Sequence, residues 1–135
     1  MTTALSMHRR ILSLAGIVIL VVAAFLVCPE VRYRAECWNR RHQMGQLWNL
    51  CFMYYSPRHG GKFPDDFAQL KSLPEYRAAE GFWDRAIREI DLLAPGADSR
   101  TGDPSTLLFR EKQADKRGHI FICDLDGSIA FEHGK

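Results

Sequence analysis

The residues best placed to do chemistry stand in a short turn near the end of the chain. Asp124 and Asp126 flank Leu125 and precede Gly127. Two carboxylates at this spacing could hold a cation, and they resemble the start of a calcium loop. A complete calcium site takes about six to eight oxygens, and no further series of Asp or Asn with a bidentate Glu follows. Asp124 and Asp126 are therefore a calcium candidate with an incomplete set of donors.

The same residues have a simpler interpretation as a β-hairpin turn. Segments 119–123 and 128–132 on either side alternate in the manner of strands. In such a hairpin Gly127 takes the left-handed backbone conformation, and the aspartate side chains hydrogen-bond to the turn. We favour the turn over the cation site.

Composition and motifs argue against two broad classes of function. The five histidines show no H-E-x-x-H or similar ligand spacing, and neither a G-x-S-x-G sequence nor a phosphate loop is present. We therefore predict no catalytic residues, no cofactor and no enzymatic activity. The net charge is only +2 and the basic residues are spread along the chain, so we predict no nucleic-acid partner.

The four cysteines form no C-x-x-C pair, so the sequence contains neither a zinc-ribbon motif nor a thioredoxin-type motif. Cys37 and Cys51 on one helix would stand about 21 Å apart, too far for a disulfide. A bond between Cys51 and Cys123 is geometrically open, and the sequence does not decide whether it forms.

An apolar segment near the N-terminus predicts a transmembrane helix over 11–28, preceded by a cytoplasmic N-terminus over 1–10. Its eighteen residues carry no charge, and as a helix they span about 27 Å, close to the hydrocarbon thickness of a bilayer. The alternative is a cleaved signal peptide, but the bulky residues 25–28 stand where a peptidase needs small ones. Arg9 and Arg10 favour an inside N-terminus, whereas arginines beyond the span oppose it, so charge alone does not fix the orientation.

After Pro29 the sequence predicts an amphipathic helix over 29–56 that continues the anchor. Pro29 is expected to kink the rod rather than end it. Apolar residues recur at spacings of three, four and seven, which indicates one buried face. This face comprises Cys37, Met44, Leu47, Trp48, Cys51, Tyr54 and Tyr55.

The remainder, 57–135, is predicted to be a small globular α+β head that ends in the hairpin. A short helix is expected at 65–71 and is ended by Pro74; strands are expected at 89–93 and 106–109 and in the two hairpin arms. The predicted fold is therefore α+β: a long N-terminal helix, transmembrane and then amphipathic, packed on a small antiparallel β-sheet.

This layout resembles the type IV pilins and type II secretion pseudopilins, especially the short pseudopilin-like proteins of the planctomycete and verrucomicrobial kind. The matching features follow the apolar helix and its proline in the order expected for that group. They are 37–39, 44–47, Tyr54 or Tyr55, 60–64, 92–96, 103–108 and Asp126-Gly127. The resemblance covers nearly the whole chain, although each motif is short.

The resemblance implies a pilin-like, single-pass protein of the inner membrane with its C-terminal head in the periplasm. Its partners would be the lipid bilayer and other pseudopilin or secretion-apparatus subunits. Major pseudopilins hold calcium in a C-terminal loop, which gives the Asp124 and Asp126 candidate a precedent. The alternative function is a membrane-tethered extracytoplasmic module that binds calcium or a small ligand outside any filament.

Two positions depart from the pattern of this family. If Pro29 is aligned with the family's helix proline, Met7 stands in place of the processing-site glycine and Leu12 in place of the helix glutamate. We therefore predict that a prepilin peptidase does not cut this chain and that the usual docking carboxylate is missing.

Overall fold

The computed structural model describes residues 2–134 and divides the chain into two compact units, 1–39 and 40–135. In the first unit, helix α1 covers Thr2–Val27. Its segment Ser6–Val27 has 22 residues and contains an 18-residue window with a mean hydropathy of 2.7, and its side chains are exposed. In the described part of the chain it is the one helix long and apolar enough to cross a membrane, which fits an anchor or a signal sequence.

Helix α2, Pro29–Asn49, follows after the single residue Cys28. Helical hydrogen bonds flank this junction: Cys28 N–H donates to Ala24 O over 2.8 Å, and Arg32 N–H donates to Cys28 O over 3.3 Å. Pro29 removes one backbone donor without ending the helical path, because the bonds on both sides persist.

Beyond Asn49 the chain stays helical but changes its winding. A π-helical segment covers Leu50–Tyr55 and a 3₁₀ turn covers Ser56–His59. Gly60 then ends the helical run at a φ of 66°, a conformation that glycine adopts without strain. The sequence correctly predicts a stop at these glycines, but it contains no signal for the π-helical turn.

The predicted apolar face is largely buried in the second unit. Met44, Leu47 and Cys51 are fully buried, and Tyr55 is nearly so. Tyr54, predicted on the same face, is instead 44% exposed. The wider π-helical turn changes the angular position of the residues after Asn49, and this change turns Tyr54 away from the core while Tyr55 stays buried.

Short helical segments connect this region to the sheet. A 3₁₀ helix covers Phe67–Ser72, and the Asp66 side chain caps it by accepting the Ala68 N–H over 3.0 Å. The predicted end of the helix before Pro74 is confirmed, since the 3₁₀ helix stops at Ser72; Pro74 also begins helix α3, Pro74–Ala78. Proline is favoured there because the first helical N–H has no partner within the helix. Helix α4, Glu80–Glu89, leads directly into the first strand.

Four strands form one antiparallel sheet in the order β1-β2-β3-β4. Their bounds are β1 Ile90–Leu92, β2 Leu107–Glu111, β3 His119–Asp124 and β4 Ile129–His133. A shift in register lies between Leu107 and Phe109. The α+β class is confirmed, with a long N-terminal helix and a four-stranded antiparallel sheet.

The second part of α2 lies on one face of this sheet. The Arg40 guanidinium carbon stands 5.0 Å from the centre of the Phe121 ring. Gly45 faces Ile129 so closely that an added Cβ would lie 3.5 Å from Cδ1 of Ile129. The apolar face of residues 40–51 therefore covers β3 and β4.

Candidate functional site

The turn between β3 and β4 is braced by its own backbone and by one aspartate. Gly127 has a φ of 90° and donates its N–H to Asp124 O over 3.1 Å. Asp126 Oδ1 accepts the N–H of Ser128 over 3.0 Å, and Asp124 N–H donates to Ser128 O over 3.0 Å. This is the hairpin turn that the sequence predicts, with glycine at the position of positive φ.

The calcium candidate lies on this turn. Among residues 2–134, no group of three or more His, Cys, Asp or Glu side chains is placed to hold a metal ion. Calcium needs about six to eight oxygens, and Asp124 and Asp126 supply only two carboxylates, one of which already accepts a turn N–H. The calcium assignment stays a prediction, and a bound ion would need further oxygens from backbone, water or a partner.

Trp48 on α2 contacts the backbone of this turn. Its indole N–H donates to the carbonyl oxygen of Leu125 over 3.1 Å. A Cβ on Gly127 would approach the indole ring to 3.0–3.1 Å, so the ring lies directly against the glycine backbone. The Trp48 ring also stacks on Phe52, with ring centres 4.6 Å apart. The helix and the hairpin therefore form one packed unit.

An ion-pair cluster centred on Arg40 fixes the other end of this contact. Its Nε donates to Glu111 Oε1 over 2.8 Å, and a second bond to Oε2 makes the pair bidentate. Arg40 also bonds Asp115 Oδ2 over 2.8 Å and the backbone oxygen of His119 over 3.1 Å. Glu111 Oε2 in turn accepts the Phe121 N–H over 2.7 Å. These bonds join α2 to β2, to β3 and to the loop between them.

The electrostatics of the cluster agree with a structural role. The hydrogen bond to Glu111 raises the pKa of Arg40 further above its ordinary value, against an opposing effect of burial, and Asp115 raises it as well. Arg40 is therefore always charged and cannot act as an acid or a base. The sequence does not distinguish Arg40 from the other arginines after the apolar segment, because its acidic partners lie 71 and 75 positions away.

Cys51 and Cys123 both lie in the core under the sheet. Both thiols are fully buried, and all four cysteines are free. Burial raises the pKa of Cys123 to about 12, with a further contribution from Asp124. Burial also raises the pKa of Cys51, and Cys123 adds to this effect. Both groups are therefore protonated thiols at neutral pH, and the disulfide that the sequence leaves open is not formed.

Two histidine environments are defined by neighbouring rings. His59 stacks on Tyr55 at 3.8 Å between ring centres, and its Nδ1 lies 2.8 Å from Tyr55 O. His119 and His133 are opposite each other on β3 and β4, with ring centres 4.8 Å apart. Neither arrangement places a serine or cysteine nucleophile beside the imidazole in these contacts, and the absence of enzymatic activity stays a prediction.

An open groove of about 500 Å³ runs beside β1. Its walls mix apolar and charged side chains from the capped 3₁₀ helix, from the end of α4 and from the sheet. The lining residues are Asp65, Asp66, Phe67, Ala68, Lys71, Ile87, Arg88, Ile90, Asp91, Leu92 and Lys112. The sequence does not indicate this groove, because its parts come together only when β1 pairs with β2.

Comparison of the chain with protein-family models, with curated proteins and with solved structures finds no match. The class of protein is therefore defined by architecture alone. It is an α+β protein with one exposed apolar N-terminal helix and a helix-supported antiparallel meander. The likeness to pilins and pseudopilins stays a prediction from the sequence.

Proposed function

We propose that this protein is a membrane-anchored, pseudopilin-like structural subunit of a type II secretion or type IV pilus-like system. One observation carries the proposal: an exposed apolar helix, Ser6–Val27, leads through Cys28 into a helix whose later residues form the floor of a small sheet. In this proposal Ser6–Val27 spans the inner membrane, and the head lies in the periplasm.

The exposure of the apolar helix supports an anchor. Large apolar side chains point outward on every side of it, from Ile11 and Leu12 to Val27. A helix that is apolar all round needs an apolar environment on all sides, which a bilayer supplies. An amphipathic core helix would have one polar face, and Ser6–Val27 has none beyond Ser13 and its basic N-terminal turn.

The polar contacts of the head support a structural role, because the strongest of them join elements of the head to one another. Arg40 holds Glu111 and Asp115, and Trp48 holds the Leu125 carbonyl. The short bond from the Tyr76 hydroxyl to Asp84 likewise joins α3 to α4. Polar groups arranged in this way make a domain rigid, as a subunit that transmits force or fills a fixed place in an assembly requires.

The proposal concerns a chain that keeps its N-terminal helix intact. Met7 and Leu12 replace the glycine and the glutamate that pseudopilin processing and docking use, so the anchor is expected to remain uncleaved. In an assembly, this subunit would then occupy a place that does not need the helix carboxylate.

Membrane location and orientation are tested together on the full-length chain. After carbonate extraction the protein should stay in the membrane fraction, and protease added to the outside of spheroplasts should digest the head. A variant with Val18→Arg and Leu20→Arg should become extractable, while Trp38→Arg, outside the span, should not. A soluble periplasmic product that lacks 1–28 would show that these residues are a cleaved signal peptide and would contradict the membrane anchor.

Membership of a secretion apparatus needs a separate test in the producing cell. Deletion of the gene should reduce the set of proteins released to the medium or the surface pili, and the full-length gene should restore them. Unchanged release and unchanged pili would contradict the assignment to such an apparatus, while the membrane anchor would stand.

A further inference from the structure

Two histidines face each other at the open end of the β3–β4 hairpin. His119 and His133 are register partners on the two antiparallel strands, and their ring centres lie 4.8 Å apart. Gly134 N–H donates to Gly118 O over 2.6 Å, which marks the next pair as hydrogen-bonded. Since hydrogen-bonded and non-hydrogen-bonded pairs alternate in an antiparallel ladder, His119 and His133 form a non-hydrogen-bonded pair, the kind in which opposed side chains come closest.

The separation of the two rings fits two ligands of one metal ion. A metal bound by an imidazole nitrogen at about 2.0–2.1 Å lies about 3.2 Å from the centre of that ring. Two such rings with centres 4.8 Å apart enclose an angle at the metal between about 90° and 109°, the values of square-planar and tetrahedral sites. The rings are tilted by 59° rather than stacked, so an edge of each can point to a common position.

Hydrogen bonds fix the backbone of His119 before any ion binds. Its N–H donates to Asp115 Oδ1 over 3.0 Å, and its carbonyl oxygen accepts the Asp115 N–H over 3.0 Å. The Arg40 guanidinium donates to the same carbonyl oxygen over 3.1 Å. A ligand whose backbone is held in this way loses little conformational freedom when it binds a metal.

The second oxygen of Asp115 lies beside one ring nitrogen of His119. Asp115 Oδ2 is 4.0 Å from His119 Nδ1, and a small rotation of the ring would close this distance to a hydrogen bond. Histidines that bind metals usually direct their other ring nitrogen toward a carboxylate or a carbonyl, which fixes the ring and makes it a better donor. Nε2 of His119 is then the nitrogen that binds the metal.

The charges near the pair do not oppose a cation. Arg40 is paired with Glu111 and Asp115, so this cluster carries one positive and two negative charges. Lys116 and Arg117 of the adjacent loop are exposed, and solvent screens their charge. A divalent ion at the histidine pair therefore lies next to a cluster with a net negative charge.

We propose that His119 and His133 bind one divalent transition-metal ion, Cu²⁺ or Zn²⁺, through their imidazole nitrogens. Imidazole suits these ions, whereas Ca²⁺ and Mg²⁺ prefer oxygen ligands. Among residues 2–134, no group of three or more His, Cys, Asp or Glu side chains is placed around a metal, so water fills the remaining positions and the ion can exchange. The bound ion ties the last residues of β4 to β3. This site goes beyond the proposed structural role and does not depend on the membrane anchor.

Copper titration of the full-length protein in detergent tests the site. The protein carries no histidine tag, and Cys28→Ser and Cys37→Ser remove the two partly exposed thiols. Electron paramagnetic resonance should show one Cu²⁺ per chain with two imidazole nitrogens bound. His119→Gln and His133→Gln should each leave one nitrogen. Loss of a partner that only orients a metal ligand costs about 10–100-fold in affinity, so loss of a ligand should weaken binding at least about tenfold in calorimetry.

A histidine elsewhere in the head supplies the matched control. His59 stacks on Tyr55, and His59→Gln should leave both the copper affinity and the two-nitrogen signal unchanged. His133 is exposed, so the circular dichroism of His133→Gln should match that of the parent chain.

Zinc gives a second measurement that does not depend on copper chemistry. Zn²⁺ should raise the melting temperature of the parent chain, because only the folded hairpin holds the two imidazoles together. It should not raise that of His133→Gln. Absence of copper binding, copper bound by a single nitrogen in the parent chain, or unchanged copper affinity in His133→Gln would overturn the proposal.

Discussion

Trp48 donates its indole N–H to the carbonyl oxygen of Leu125 over 3.1 Å and so joins the helix to the hairpin turn. The aspartates that first suggest chemistry in the sequence stand on either side of this carbonyl's residue. The turn is therefore held by hydrogen bonds of its own backbone and by its contact with the helix. Because the Trp48 ring packs against the backbone of residue 127, a glycine is needed at this position.

Gly127→Ala should destabilise the head for two reasons. The φ of 90° is unfavourable for alanine, and the new methyl group would press on the Trp48 ring at 3.0–3.1 Å. Strain of this kind costs on the order of 1–3 kcal/mol. Urea unfolding followed by circular dichroism measures the loss.

Two other glycines serve as matched controls. Gly60 has a φ of 66° with open space around its Cβ position, so Gly60→Ala adds backbone strain without a clash. Gly81 has neither feature, and Gly81→Ala in α4 should be neutral or stabilising. An equal loss at 127 and 60 would show that the contact with Trp48 contributes nothing.

Arg40→Ala should be among the most damaging single changes in the head. It leaves Glu111 and Asp115 without their main cation while both remain largely buried. Breaking a buried pair by removing one partner costs about 3–5 kcal/mol, and we expect the lower end because the Arg40 side chain keeps 21% exposure. The free energy of unfolding in urea checks this value.

Comparison with the next residue makes the test specific. Arg41 is exposed, so Arg41→Ala should change stability by no more than about 0.5 kcal/mol. Arg40→Lys should recover only part of the loss, since lysine cannot make the bidentate bond to Glu111. A similar loss at both arginines would refute the role given to the Arg40 cluster.

Asp98 should make the head sensitive to acid. Its Oδ1 accepts the N–H of Arg100 over 2.8 Å and that of Thr101 over 3.2 Å, and these bonds lower its pKa below the ordinary value of 3.8. A lowered folded-state pKa gives stability that is complete above 3.8 and disappears as the pH falls through the folded value. The melting temperature of Asp98→Ala should therefore lie below that of the natural chain at pH 7, and the difference should shrink below pH 3.8.

Asp98→Asn separates charge from hydrogen bonding. Asparagine keeps an oxygen acceptor but does not titrate, so the melting temperature of this variant should lack the acid-dependent part. If the difference between Asp98→Ala and the natural chain were the same at pH 7 and at pH 3, the carboxylate would have no part in the turn.

The cysteines should differ sharply in reactivity. Thiolates are the reactive form, and burial holds the pKa of Cys123 at about 12. Mass spectrometry after maleimide treatment of the folded protein should show modification at Cys28 and Cys37 only. Denatured but unreduced protein should accept four labels, and a count of two would reveal a disulfide that the structure does not contain.

Much of the architecture follows from local patterns in the sequence. The uncharged run around Ile11–Val27, the spacing of Met44, Leu47 and Cys51, and the alternation on both sides of Gly127 each reflect a single element. Such patterns predict helices and strands because the periodicity comes from one element facing one environment.

The parts that could not be predicted depend on distant partners or on subtle winding. The π-helical turn at Leu50–Tyr55 has no sequence signal, and it is why Tyr54 faces outward. Arg40 finds its acids through pairing of strands far along the chain. Pro74 follows the end of the 3₁₀ helix and also begins α3, and the sequence predicts only the first of these two roles.

The most direct test of the account is whether α2 lies under β4 in the full-length protein. In a Cys28→Ser, Cys37→Ser and Cys123→Ala background, which removes the thiol directly opposite residue 129, Gly45→Cys and Ile129→Cys should be joined within one chain by a short bis-maleimide. The two positions are neighbours across the helix–sheet contact, because a Cβ on Gly45 would lie 3.5 Å from Cδ1 of Ile129. Peptide mapping of the monomer band should identify this intrachain link, and Met53→Cys with Ile129→Cys should not form it. A monomer in which 45 and 129 remain unlinked would mean that the sheet does not rest on the helix, and the account would fail.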